Sequence, residues 1–324
     1  MEITQTPVAV LLIVCGLAIL TIGAEMLVRG GASLALRLGV TPLVIGLTIV
    51  AFGTGAPEFV VSLDAAIKGS SGIALGNVIG SNIANLALIL GIAAIVRPMS
   101  VKAEILRREM PVLMGVTAVV CIMLYDGQLD RIDGILLVGG GVAYTAGAYY
   151  LSRRRESTEV EDEFGAAVGE LAEGGKKRRA ITDVVLLLIG LAALAAGANL
   201  LVTGAVSVAR AAGLTEAVIG LTIVAIGTSL PELATSVVAA YRGESDISFG
   251  NAIGSNVFNI LMVLGIAGVI TPIPTDGIRL LDIAVFIGSV VIVWAMLGRR
   301  FLLARPEGAL LTFGYSAYMY SLFQ

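Results

Sequence analysis

The chain contains no histidine, and only 14% of its residues are charged. Without imidazole it lacks the usual transition-metal ligand and the usual near-neutral proton carrier. Its two cysteines, Cys15 and Cys121, both lie in apolar segments. They are expected to be buried thiols, not a disulfide or metal framework. The net charge of −3 says nothing about nucleic acid, but no basic stripe is interleaved with aromatics, so no nucleic-acid partner is expected. No G-x-S-x-G nucleophile motif is present, and with no histidine to activate one the chain is not expected to be an enzyme or to carry a cofactor. The opening MEITQTP lacks the basic n-region of a cleaved signal, so the first apolar run is expected to be a retained helix.

Hydrophobic residues make up 57% of the chain, and the mean hydropathy is +0.96. A soluble domain carries roughly 25% charged residues; this chain could not cover a core with so little polar surface. Apolar runs of about 20 residues match the thickness of a bilayer. The expected class is an all-α polytopic membrane protein with the lipid bilayer as its environment. Ten apolar segments can be marked, near 7–28, 41–67, 72–96, 110–125, 132–151, 181–207, 215–241, 247–271, 279–297 and 303–323. A polar, glycine-rich stretch from Arg153 to Arg179 divides them five and five and reads as a solvated linker.

The two halves repeat each other. Residues 46–91 and 220–265 align without a gap at an offset of 174, with 25 of 46 positions identical. Fixed-offset self-similarity sets architecture before any detail. Residues 1–152 and 180–324 are therefore read as two five-helix repeats joined by the 153–179 linker. An odd number of crossings per half inverts the second half relative to the first, an arrangement that puts substrate sites near the bilayer midplane. Of the 21 lysines and arginines, all but Lys68, Arg131, Arg210 and Arg279 fall in the odd-numbered loops. By the positive-inside bias both termini lie outside and the linker is cytoplasmic, in the cell (inner) membrane.

Each core repeat holds a glutamate in an apolar run, within Gly53-Thr54-Gly55-Ala56-Pro57-Glu58 and Gly227-Thr228-Ser229-Leu230-Pro231-Glu232. A proline inside a helix removes an N–H and crowds the carbonyl four residues back. Freed carbonyls at Gly53 and Gly227 and a loosened turn at Ala51 and Ala225 are expected, hence broken helices at the midplane. Irregular backbone at that depth is tolerated where it lines a cavity or is buried in protein. Thr54 with Glu58, and Thr228 with Glu232, share a helix face. Carboxylate, hydroxyl and carbonyl form the all-oxygen set that hard cations such as Ca²⁺ and Na⁺ need. The following blocks, Gly76-Asn77 through Asn82 and Gly250-Asn251 through Asn256, lead to Ser81 with Asn85 and Ser255 with Asn259, again four apart.

A buried glutamate costs several kcal/mol by the milder insertion scales. The only basic residues in the core repeats are Lys68 and Arg242, at the connections after the broken helices. Glu58 and Glu232 must therefore hold protons or a bound cation. Glu25, opposite Asn199 in the repeat, is expected to form an interfacial ion pair with Arg29 near a helix end. Asp64, opposite Val238, either flanks an ion pathway or reaches headgroup water.

The paired GT-x-x-PE and GN-x-IGSN blocks resemble the α-repeats of the calcium/cation antiporter superfamily, whose best-known members are sodium/calcium exchangers. The closest likeness is to short prokaryotic members without regulatory domains. The resemblance implies Ca²⁺ and Na⁺ binding by Glu58 and Glu232, with ligands from Thr54 and Thr228 and from the carbonyls of Ala51 and Ala225. It implies Na⁺ sites lined by Ser81 and Ser255, and midplane polar positions at Asn85 and Asn259. The serine that often follows the threonine survives as Ser229 but is Gly55 in the first repeat, which implies one Na⁺ site that is weaker or completed by water. Asparagine at 259 argues against K⁺ co-transport. The absence of an extra acidic residue in the GN blocks favours sodium over protons.

The expected function is antiport of Na⁺ against Ca²⁺ by alternating access, working as a single chain and extruding Ca²⁺. A Ca²⁺/H⁺ antiporter on the same fold is the alternative, with the glutamates as proton carriers, and a cation channel is the rival from another class.

Overall fold

The computed structural model describes residues 5–38, 42–67, 71–153, 180–212, 225–275 and 278–322. The first repeat contributes α1 (Gln5–Leu38) and a helix broken into α2 (Leu43–Thr54) and α3 (Ala56–Ile67) with a 48° bend. Next come α4, running through Ser71–Ile83, Ala84–Ile89 and Leu90–Val96, then α5 (Ala103–Met123) and α6 (Arg131–Arg153). The second repeat follows the same order. It comprises α7 (Ala180–Ala211), α8 (Ala225–Thr228), α9 (Leu230–Arg242), α10 through Ser245–Phe258, Asn259–Leu264 and Gly265–Ile270, α11 (Leu280–Arg300) and α12 (Arg305–Ser321). The seventh expected segment begins among residues 213–224, and most of the 153–179 linker also falls outside the described residues.

All ten expected segments carry helix. Six unbroken helices are long and apolar enough by themselves to cross a membrane, and the bent α2–α3 pair makes a seventh candidate span. The chain is a multi-pass membrane protein built as two inverted repeats. α1 outruns its expected end by ten residues, from 28 to Leu38. Glu25 therefore sits well inside the helix and not near an end. Hydropathy failed there because paired charges, Arg29 with Glu25 and Arg37 with Asp183, continue the helix past the apolar run.

Two antiparallel two-residue ribbons add the only strands among the described residues. Met99–Ser100 pairs with Leu302–Leu303, and Gln128–Leu129 pairs with Ile273–Pro274. Numbering each loop by the apolar segment it follows, the first joins loops three and nine, the second joins loops four and eight. Odd loops thus meet odd and even meet even, as ten crossings require. Arg97 donating to the Tyr241 carbonyl and Arg279 donating to the Ser321 carbonyl obey the same parity.

α4 and α10 occupy the enclosed centre, while α1 and α7 lie together at the periphery with much of their surface outward. α1 and α7 approach backbone to backbone through glycine. A Cβ on Gly16 would stand 2.6 Å from the Leu201 nitrogen, and one on Gly197 would stand 2.7 Å from the Leu20 nitrogen. Such close approach is the usual means of helix association where lipid offers no hydrophobic drive. Cys15, expected to be buried, is exposed on α1, and Cys121 is only partly buried; both are free thiols. In a membrane an apolar run faces lipid as readily as protein, so its hydropathy does not predict burial.

Candidate ion-binding site

The break in each broken helix precedes the proline. Gly55 (φ −76°, ψ 1°) and Ser229 (φ −88°, ψ 6°) form the turns, and α3 and α9 start afterwards. Pro57 and Pro231 therefore stand in the first turn of a new helix, where the missing N–H has no intrahelical partner to lose. The two breaks are not identical. Gly55 N–H donates to the Ala51 carbonyl (2.9 Å), whereas Ser229 N–H donates to the Ile226 carbonyl (3.1 Å). The Ala51 carbonyl thus accepts one backbone bond and keeps a second lone pair. The equivalent Ala225, which opens α8, does not receive the Ser229 bond.

The turns carry the acidic residues to the centre. Glu58 and Glu232 are each 1% exposed. They are near enough to repel each other when both are ionised. No lysine or arginine among the described residues acts on either carboxyl. Their polar neighbours come crosswise from the opposite repeat. Ser229 Oγ donates to Glu58 Oε1 (3.0 Å), the half-buried Thr228 also faces Glu58, and Thr54 faces Glu232. The single Thr54 proton has two acceptors nearby, the Val50 carbonyl at 3.0 Å and Asn251 Oδ1 at 3.1 Å.

A second polar layer lies on α4 and α10. Ser81, Ser255, Asn85 and Asn259 are all buried. Asn85 Nδ2 donates to Asn256 Oδ1 (3.0 Å), and Asn259 Nδ2 donates to Ser81 Oγ (3.1 Å). π-helical turns at Ala84–Ile89 and Asn259–Leu264 coincide with these asparagines. A π turn also occupies Gly46–Val50, just before Ala51. Such turns interrupt the regular hydrogen-bond ladder and recur at functional sites.

What remains unbonded is mostly oxygen. Glu58 Oε2, both carboxyl oxygens of Glu232, Asn85 Oδ1, Asn259 Oδ1 and Ser255 Oγ are buried without a hydrogen-bond partner. Buried polar atoms ordinarily find partners, and each exception asks for an explanation. A group of unpaired acceptors around two buried carboxyls is a liability in a dry interior unless protons or a cation complete it. Among the described residues no three Asp, Glu, His or Cys side chains gather at one place. The set is therefore two carboxylates surrounded by neutral oxygens, suited to Na⁺ or Ca²⁺ and not to a soft metal.

Of the expected site residues, Glu58 meets Ser229 and Thr228, Glu232 meets Thr54, Asn259 meets Ser81, and Asn85 reaches across to Asn256, while Ala225 is described only through its backbone. Glu25 and Asp64 stay outside. Glu25 pairs with Arg29 and also with Arg242 of α9 (2.5 Å), and Asp64 is exposed near the end of α3.

Sequence reasoning passed over the residues that hold the glutamates in place. Asn77 Nδ2 donates to the Glu58 carbonyl (3.3 Å) and to Ser62 Oγ (2.9 Å). Asn251 Nδ2 repeats this with the Glu232 carbonyl (3.2 Å) and Ser236 Oγ (2.9 Å). The available signal was their identity at the 174 offset together with a polar side chain in an apolar helix.

Comparison with known proteins agrees with this geometry. The family model described as "Sodium/calcium exchanger protein" matches twice, over residues 8–150 and 182–324. Over 321 residues the chain is 39% identical to CaxA of Alkalimonas amylolytica, with 98% of this chain and 99% of that one covered. It is 32% identical over 348 residues to the sodium/calcium exchanger MaX1 of Methanosarcina acetivorans, covering 97% and 98% respectively. Its fold matches the solved structure of the sodium-calcium exchanger NCX_Mj with a TM-score of 0.83 and 29% identity, over 99% of this chain and all of that one. With two inverted repeats, each bringing one buried glutamate to a shared oxygen-lined centre, the chain belongs to the sodium/calcium exchanger protein family.

Proposed function

We propose that this protein is a secondary active antiporter that exchanges Na⁺ for Ca²⁺ by alternating access and extrudes Ca²⁺ from the cell. One observation carries the reading. The carboxyls of Glu58 and Glu232 are buried together without a basic partner, and three of their four oxygens lack any hydrogen bond. One Ca²⁺ neutralises two carboxylates, and several Na⁺ can occupy the same oxygens instead. The two loads compete for one cage, so translocation proceeds with the cage filled and exchange needs neither ATP nor a covalent intermediate.

In this reading Glu58 and Glu232 ligate both ions, and Thr54 and Thr228 add oxygens one turn earlier. Ala51 and Ala225 supply carbonyls, Ser229 and Ser81 or Ser255 complete the flanking Na⁺ sites, and Asn85 and Asn259 border them. Residues 1–152 and 180–324 are the two repeats, with 153–179 as a cytoplasmic linker and both termini outside the cell membrane.

Proteoliposomes loaded with Na⁺ and given external ⁴⁵Ca²⁺ test the proposal. Uptake that requires internal Na⁺ and is absent from choline-loaded vesicles supports it. Uptake driven by a pH gradient alone replaces sodium with protons as the counter-ion. Flux without any counter-ion makes the protein a channel.

A further inference from the structure

The polar layer on α4 and α10 contains identical residues in unequal bonding. Ser81, Asn82 and Asn85 of the first repeat correspond at the 174 offset to Ser255, Asn256 and Asn259 of the second. Symmetry of sequence would give symmetric bonds, and it does not. Asn85 reaches across to Asn256, but Asn259 bonds Ser81 and not Asn82. Asn82 Nδ2 stays on the Val78 carbonyl of its own helix (2.6 Å), whereas Asn256 Nδ2 has no partner.

The unbonded acceptors of this layer are informative. Asn82 Oδ1 and Ser255 Oγ lack partners, and each residue is 0% exposed. They are the repeat mates of the two engaged acceptors, Asn256 Oδ1 and Ser81 Oγ. An arrangement reflected through the pseudo-twofold axis, with Asn259 donating to Asn82 and Asn85 to Ser255, would use these atoms and release the other two. Both arrangements contain two cross-repeat bonds made by the same residue types. Two packings of near-equal energy are what a bistable element requires. The Gly55/Ser229 difference is unlike this, because there the sequence itself forbids a mirror image.

We propose that the amides of Asn85 and Asn259 exchange acceptors when the transporter turns from one facing state to the other, so that Asn82 and Asn256 alternate as the cross-repeat acceptor. The π turns beside both asparagines supply the local backbone slack. Asn82 and Asn256 act as positioning residues: they set which facing state is favoured without being assigned to an ion. The inference rests on the alternating-access exchange proposed above.

The test uses full-length protein in vesicles of defined orientation, with Na⁺ on the opposite side and the apparent Ca²⁺ affinity measured from each face. The readout is the ratio of the two affinities. Asn256→Ala removes an acceptor used in the present state, and Asn82→Ala removes one used only in its mirror. Loss of one net hydrogen bond moves the ratio about fivefold, so the two variants are expected to shift it in opposite directions and the double variant to restore it. A purely structural role would change both affinities alike. Shifts in the same direction, or an unchanged ratio with exchange intact, overturn the switch. If Asn256→Ala does not fold, Asn82→Ala alone must still move the ratio, since its amide oxygen bonds nothing here. Absence of exchange in the unmutated protein removes the functional reading and the switch with it.

Discussion

Replacing Glu232 by glutamine tests the charge arithmetic of the site. Both oxygens of this carboxyl lack a hydrogen bond, whereas Glu58 accepts from Ser229. The substitution keeps shape and volume, takes the pair from −2 to −1, and points an amide N–H₂ among acceptors. A bound Ca²⁺ would then leave one uncompensated positive charge in a dry site. Removing one member of a buried ion pair costs about 3–5 kcal/mol, which is roughly 10²–10⁴-fold in affinity. Two readouts should move oppositely. Heat denaturation of the ion-free protein should occur at higher temperature in the variant, because a neutral amide needs neither a proton nor a cation to neutralise it in the dry site. The stabilisation by Ca²⁺, about 2.7 kcal/mol for unmutated protein at a hundredfold excess over Kd, should vanish together with Na⁺-driven ⁴⁵Ca²⁺ uptake. A Glu232→Gln protein still stabilised by Ca²⁺ and still exchanging would refute the two-carboxylate account.

Gly55→Ser would install in the first repeat the hydroxyl that Ser229 provides in the second. Its Cβ would lie 3.0 Å from the Ala51 carbonyl and 3.1 Å from Phe258 Cδ1, so Phe258 must yield by a few tenths of an ångström. The expected result is a severalfold lower Na⁺ concentration for half-maximal exchange, read from Na⁺ titration of Ca²⁺ flux; an unchanged value would mean the glycine costs the site nothing. Arg37→Met would strand the Asp183 carboxylate, whose side chain is 0% exposed. It should destabilise the detergent-solubilised protein by about 3 kcal/mol or more, with Arg37→Met/Asp183→Asn recovering much of the loss in thermal denaturation.

The architecture was legible because its causes are local and repeated. A constant offset of 174 set the inverted halves, and the bilayer's length requirement set ten segments, although α1 and α5 extend well beyond theirs. Glu58 and Glu232 stood out because an acid in an apolar run needs a reason. Other features depend on pairing across the fold, which no single stretch displays. Asn77 and Asn251 draw no role until their amides are seen holding the glutamate turns. The length of α1 depends on Asp183, 146 residues beyond Arg37. Where Cys15 lies was illegible for a different reason: lipid and protein interior select the same side chains.

The remaining asymmetry is written into the sequence and should bias the transport cycle. Glu25 of α1 ties to Arg29 on its own helix and to Arg242 at the end of α9. At the corresponding positions of α7 stand Asn199 and Thr203, which can form no such ion pair. One side of the protein therefore carries a latch between a peripheral helix and a broken one that the other side lacks. The three side chains are between 24% and 43% exposed. A partly exposed pair of this kind contributes up to about 1 kcal/mol, enough to shift a two-state balance about fivefold. Glu25→Gln should free α1 from α9 and move the ratio of Ca²⁺ affinities measured from the two faces by up to that factor, in favour of the face the latch keeps closed. Asn199→Asp, which adds the acid without Arg29's counterpart, should move it less. If Glu25→Gln leaves the ratio unchanged while exchange continues, the ion pairs hold helices together and take no part in choosing between states.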